Sequence, residues 1–258
     1  MTSAALIQVF EVFSFLGAFL TAVKLIWTGL YRRYPFFFAY VLFLIPYSFC
    51  LLLLSVSSQF YQKFYVVNTV VFWFLYILVV LELYRLILER HKGLFTAGRW
   101  AMYLGIAVSV VVSVLSLLPR IAPAVRQKSM VMPYLNAIDQ GLNLSLAIFL
   151  LLMLFLLSMY PVSLCRNVLV HAAVCTVLFL SGTLGVILHR IFGLNLSIVI
   201  DLGLMGISSA CLLAWFFLLS PSGEQAHVSM PWMGPEEESR LLLHLDALNS
   251  TLLKVSKN

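Results

Sequence analysis

Three acidic residues, Glu11, Asp139 and Asp201, lie inside long apolar stretches of this sequence, and His189 stands at the end of another. An ionisable side chain at membrane depth is costly, so it faces a bundle interior or a wet cavity and marks a candidate site. Helical spacing gathers further polar groups around these. Asn136, Asp139, Gln140 and Asn143 recur at i, i+3, i+4 and i+7, a single stripe of a helix, and Ser197, Asp201 and Ser208 follow one face of another. Glu11 shares a face with Ser14, Ala18 and Ala22, a ridge of small residues that lets helices approach closely. With Asn68 these define an expected ligand-binding cluster of Glu11, Asn68, Asp139, Gln140, Asn143, His189 and Asp201, suited to a cationic ligand, a proton or a metal ion. The competing expectation is structural: polar side chains inside helix bundles bond one another, at about 0.6 kcal/mol per interaction.

Other chemistry finds little support. His171 and His189 are five helical turns apart on one face with Cys175, Gly182 and Gly185. A pair of haems would need partner ligands at matching depths, and only His91 offers one, so a glycine-bearing packing face is the simpler reading. There is no HExxH, GxSxG, Walker loop or GxGxxG. Ser181-Gly182 resembles an intramembrane serine-protease motif only superficially, because Phe179 stands where that motif has glycine. The last apolar stretch has no lysine to form a retinal Schiff base. No catalytic residue, resident metal or cofactor is therefore assigned.

The elements that must hold these residues follow from composition. Of 258 residues 62% are apolar and 10% charged, against about 45–50% and about 25% in soluble domains, which excludes a water-soluble fold. Seven stretches reach the roughly 20 residues that a bilayer core demands of a helix: Ala4 to Leu30, Phe36 to Ser57, Phe64 to Arg90, Trp100 to Leu118, Tyr134 to Tyr160, Val168 to Arg190 and Leu196 to Ser220. Short separators carry the breaking residues: Tyr31 to Pro35, Gln59 to Lys63, His91 to Arg99, Pro119 to Pro133, Pro161 to Asn167 and Ile191 to Asn195. The first stretch has no preceding basic residue and contains Glu11, so it reads as a retained helix rather than a secretory signal.

Orientation follows from the basic residues. With the amino terminus outside, Lys24, Arg32, Arg33, Arg85, Arg90, Lys92, Arg99 and Arg166 lie at cytoplasmic ends, eight against the five of Lys63, Arg120, Arg126, Lys128 and Arg190 outside. The net charge of +6 is distributed over loops and helix ends, which points to lipid head groups rather than nucleic acid. Cys50, Cys165, Cys175 and Cys211 form no CxxC pair and read as packing residues. Glu82, Arg85 and Glu89 are spaced for ion pairs along one helix, and Lys24 is placed to snorkel. Trp27, Tyr31, Tyr34, Trp100 and Tyr160 fit an interfacial aromatic belt, and Pro46 predicts a kink that opens space beside Tyr47.

The expected architecture is thus all-α: a seven-helix transmembrane domain over 1–220 with N-out, C-in topology, a linker at 221–235, and a cytoplasmic amphipathic helix over 236–258. Glu236, Glu237 and Glu238 suit the start of that helix. Leu241, Leu245, Leu248, Leu252 and Val255 follow a coiled-coil seam of two heptads, a partner-binding face for a second copy or a cytoplasmic protein.

The segments Leu30-Tyr31-Arg32-Arg33-Tyr34-Pro35-Phe36-Phe37-Phe38-Ala39-Tyr40, Leu81 to Arg85, Tyr160 to Ser163, Arg166 to Val168 and the tail from Glu237 to Leu253 carry a resemblance. The chain resembles, along its whole length, an uncharacterised family of acidobacterial seven-helix membrane proteins. That resemblance implies a bacterial inner membrane and no catalytic residues. The functional expectation is a sensory or scaffolding protein whose outer polar pocket acts on a cytoplasmic partner through the tail helix. The alternatives are a proton, ion or small-solute carrier and a non-catalytic subunit of a membrane complex.

Overall fold

The computed structural model of the chain describes residues 3–53, 59–88, 131–159, 164–192, 196–225, 227–228, 239 and 243–247. The helices are α1 (Ser3–Trp27), α2 (Pro35–Leu53), α3 (Gln59–Leu88), α4 (Val131–Met159), α5 (Arg166–Phe192), α6 (Ser197–Leu218) and the short α7 (Pro221–Gln225). Six of them are long and apolar enough to cross a bilayer, so the chain is a multi-pass, essentially all-helical membrane protein. The expected fourth span, Trp100 to Leu118, lies outside the described residues. A two-residue antiparallel pair, β1 (Leu164–Cys165) with β2 (His227–Val228), ties the segment after α7 to the start of α5. In the tail 243–247 are helical with Leu245 half-buried, while Leu241, Leu248, Leu252 and Val255 lie outside the described residues.

Helix limits differ from the sequence expectation in ways that local chemistry explains. Gln59 to Lys63 was expected to separate two spans but forms the first turn of α3, since it contains neither Pro nor Gly. Pro133 sits inside the first turn of α4, where the missing N–H leaves no helical bond unmade. Within the expected linker, Pro221 opens α7. Between α1 and α2 the break falls where expected, but α1 ends at Trp27, three residues short of the expected Leu30. Gly29 takes the left-handed conformation (φ 73°) that ends a helix, a 3-10 turn follows at Leu30–Arg32, and Pro35 begins α2.

The six long helices form a ring in the order α3, α2, α1, α6, α5, α4, with α3 meeting both α4 and α5 to close it. The ridge of small residues on α1 faces α6: Ala18 and Ala22 are buried, Gly17 lies beside Leu212, and Ser14 Oγ is 3.3 Å from Ser209 Oγ. On α5, Gly185 gives the same clearance to Leu204 of α6. The outward faces carry Phe13, Val67, Phe74, Phe155 and Phe217, all exposed and suited to acyl chains. Inside the ring lies an aromatic core of Tyr34, Phe37, Tyr40, Phe72, Phe179 and Trp215.

One end of the ring, where α2 and α5 begin and α1, α3 and α6 finish, is tied by polar side chains that reach across helices. Glu82 of α3 accepts the Phe36 N–H at 3.1 Å and the Phe37 N–H at 2.9 Å, filling two donor positions that the first turn of α2 cannot satisfy itself. Arg85, expected to pair with Glu82, acts on its carboxylate from beyond ion-pair distance, and Glu89, the other expected partner of Arg85, lies outside the described residues. A buried helix start beside Glu82 uses both of its oxygens. Lys24 does not simply snorkel; its ammonium donates to the Phe216 carbonyl in the last turn of α6 and lies 5.2 Å from the Phe216 ring.

Candidate functional site

The ring encloses a cavity of about 250 Å³ reached by side chains of all six long helices. Its acidic group is Asp139, from the first half of α4. Six of the thirteen lining residues are aromatic: Tyr40 and Tyr47 from α2, Tyr65, Phe72 and Tyr76 from α3, and Trp215 from α6. Ser14, Thr69 and Ser208 add hydroxyls. The volume equals roughly eight waters at about 30 Å³ each, room for a small ligand rather than a lipid chain.

Each aromatic comes from a helical stripe. Tyr65, Thr69, Phe72 and Tyr76 stand at i, i+4, i+7 and i+11 on α3; Tyr40, Leu44 and Tyr47 at i, i+4 and i+7 on α2; Ser208, Leu212 and Trp215 repeat that spacing on α6. Pro46, inside α2, withholds an N–H from the helix next to Tyr47. The rings brace one another: Tyr47 and Phe72 meet edge-on at 4.8 Å, Tyr47 stacks on Phe64 at 6.0 Å, and Tyr40 meets Tyr76 at 5.6 Å.

Asp139 is held by two neutral donors. The Trp73 indole Nε1–H donates to Oδ1 at 2.7 Å and Asn143 Nδ2 donates to Oδ2 at 3.1 Å. Among the described residues no lysine, arginine or histidine lies within ion-pair distance of it. Asn143 is positioned in turn by Gly182 of α5, where a β-carbon would meet Nδ2 at 3.3 Å. A carboxylate fixed by uncharged donors in a cavity walled by aromatic rings presents negative potential to a cation from several sides.

The other expected site residues take different places. Asn68 is buried and returns its amide to the Phe64 carbonyl of its own helix at 2.6 Å. Gln140 is buried one residue beyond Asp139, outside the cavity lining. Glu11 is half-buried on α1 and also outside the lining. His189 Nε2 and Asp201 Oδ1 are 2.9 Å apart and exposed, an α5–α6 contact that does not line the cavity. Among the described residues no three His, Cys, Asp or Glu side chains are placed to hold a metal ion. The structure thus joins Asp139 to Asn143 and His189 to Asp201, and brings only Asp139 into the cavity. Of the aromatic lining only the space beside Tyr47 was expected, from Pro46; the other rings were missed because rings in apolar spans read as packing, and their shared helical spacing was the available signal.

Behind Trp215, toward the tied end, the interior is closed. His171 is fully buried, with its ring 4.3 Å from that of Phe37 and 5.7 Å from those of Tyr34 and Trp215. Neither His171 nitrogen nor Trp215 Nε1 has a hydrogen-bond partner, and the surrounding ring faces are what remains to receive their N–H groups. His171 therefore fills an aromatic box and has no open coordination face toward a haem.

A second polar cluster lies just beyond this plug. Tyr34 Oη donates to Glu224 Oε1 at 2.5 Å, and Asn167 Nδ2 donates to the same oxygen at 2.9 Å. Asn167 also donates to the Ser220 carbonyl at 2.7 Å and accepts the Ser220 N–H at 3.2 Å, while Arg33 Nε stands 3.9 Å from Glu224 Oε2. Burial first, then the Glu224 carboxylate, push the Tyr34 phenol well above its ordinary pKa. Gly223 is required here, because a β-carbon would stand 2.1 Å from Asn167 Oδ1. This cluster fixes α7 to the first loop and to the start of α5.

No family model, curated protein or solved structure matches the chain, so the fold and the Asp139 cavity carry the functional reading by themselves.

Proposed function

We propose that this protein is a membrane receptor or sensor that takes a small cation into the cavity around Asp139 and signals through the opposite, cytoplasmic end. The observation that carries the reading is Asp139 itself: a carboxylate without a basic partner among the described residues, facing an aromatic-walled cavity inside a membrane bundle. The N-terminal halves of α3 and α4 then open outward, and Lys24, Arg32, Arg33, Arg85 and Arg166 mark the cytoplasmic end. Helices that line the cavity also end in the polar contacts of that side, so a ligand pressing on α2 or α6 acts on the Glu82 and Asn167 contacts and, through α7, on the tail. The tail seam of Leu241, Leu245, Leu248, Leu252 and Val255 binds a second copy or a cytoplasmic protein, and the host membrane is a bacterial inner membrane. A sensor is favoured over a carrier because the sequence carries no paired inverted repeats.

The test needs no knowledge of the ligand. Thr69→Cys places a thiol in the cavity wall, and the modification rate of the purified protein is compared for a cationic and an anionic methanethiosulfonate, over the background of the native cysteines. The expected result is faster cationic labelling by an order of magnitude, a preference that Asp139→Asn abolishes. Equal rates for the two reagents, or a preference unchanged in Asp139→Asn, would refute the proposal.

A further inference from the structure

We infer that the ligand class of this cavity is a methylated ammonium ion, a quaternary or tertiary amine of about the size of tetramethylammonium or choline; the inference rests on the cation-binding reading above. Several polar atoms of the wall are already engaged with the protein, each with part of its capacity. Both Asp139 oxygens already accept a hydrogen bond, from Trp73 and Asn143. The Tyr40 and Tyr76 rings meet at 5.6 Å, Ser14 faces Ser209, and Thr69 Oγ1 donates to the Tyr65 carbonyl at 2.8 Å.

A primary ammonium brings three N–H donors that must share the remaining lone pairs of these oxygens with the present donors or keep water. A methylated ammonium makes no such demand. It spreads its charge over C–H groups that lie against ring faces, and its attraction to the carboxylate is through space, so Asp139 can keep both of its present partners. Six aromatic residues around about 250 Å³, with one acid at the side, match that chemistry on shape and on charge. The opening between α5 and α6 at His189 and Asp201 offers the reverse, an exposed carboxylate already facing an imidazole, and carries no comparable site.

The experiment is binding of tetramethylammonium, choline, methylammonium and ammonium chlorides to the detergent-solubilised full chain, followed by thermal shift and by quenching of tryptophan fluorescence, with sodium chloride as the ionic-strength control. The expected result is saturable binding of tetramethylammonium and choline at least tenfold tighter than methylammonium. Asp139→Asn removes it, and Tyr47→Leu weakens it by about 5- to 20-fold, the range of a desolvated cation–π contact. Should Tyr47→Leu fail to fold, Phe72→Leu serves the same purpose. Methylammonium binding as tightly as tetramethylammonium, in an Asp139-dependent way, overturns the methylated-ammonium assignment and leaves the cation site standing. Saturation by none of the four ions overturns the assignment as well, and the labelling preference at Thr69→Cys then shows whether the cation site falls with it.

Discussion

Replacing Glu82 with alanine should cost about 2–4 kcal/mol of stability, and the figure follows from what the carboxylate touches. It receives the Phe36 and Phe37 N–H groups, and both Glu82 and Phe37 are buried. A hydrogen bond to a charged acceptor contributes about 1.5–3 kcal/mol, and a buried donor left without one costs about 1–3 kcal/mol. Phe36 is 41% exposed, so its N–H can find other partners and the larger share belongs to Phe37. Glu82→Gln keeps one acceptor oxygen but turns an NH2 toward a donor, which should give a loss of about 1–2 kcal/mol. At about 2–4 °C per kcal/mol for a chain of this size, Glu82→Ala should melt about 4–16 °C lower in detergent. Hydrogen exchange should show the first turn of α2 opening before the rest of that helix. Arg85→Ala is the control, since an intrahelical ion pair would make it as damaging as Glu82→Ala while capping of α2 makes it nearly silent. Glu82→Ala melting with the parent, or Arg85→Ala melting with Glu82→Ala, would show that the carboxylate does not hold the start of α2.

Two further outcomes follow from the second polar cluster. Gly223→Ala drives a β-carbon into the Asn167 amide, which is tied to Ser220 on both of its polar atoms, so it should destabilise α7 about as much as Asn167→Ala, roughly 2–3 kcal/mol; limited proteolysis after Ser220 should rise in both variants to a similar extent. The raised Tyr34 pKa sets a pH dependence: the unfolded chain releases the phenolic proton from about pH 10 upward while the folded protein keeps it, so stability present below pH 10 is lost as the pH rises above it. Melting temperatures between pH 8 and 11 should therefore fall at the alkaline end, and the fall should be shallower in Tyr34→Phe, whose stability at pH 8 is lower by the lost bond to Glu224.

What the sequence determined by itself is the class of the protein and most of its helices. Apolar runs of bilayer length, interrupted by residues that cannot continue a helix, leave a chain no soluble alternative, and the separator Tyr31 to Pro35 marked the first turn to within a few residues. The ridge of Ser14, Ala18 and Ala22 was legible for the same reason: small residues at helical spacing permit close approach whichever helix arrives. Asp139 was legible too, because a carboxylate is conspicuous in an apolar span. Its companions were not. Spacing along one helix fixes which residues share a face but not what that face meets, so Asp201 was equally eligible and instead stands beside His189 at the exposed edge of α5 and α6. Glu82 looked like one partner of Arg85 in an ion pair on its own helix, and only the arrival of the start of α2 beside it turned its oxygens to the Phe36 and Phe37 N–H groups. Apart from the space that Pro46 announced beside Tyr47, the aromatic cavity belongs to the tertiary structure. A tyrosine at i+4 from another reads the same whether it packs in a core or lines a void, and the difference is made when three such stripes from α2, α3 and α6 converge without filling the space between them.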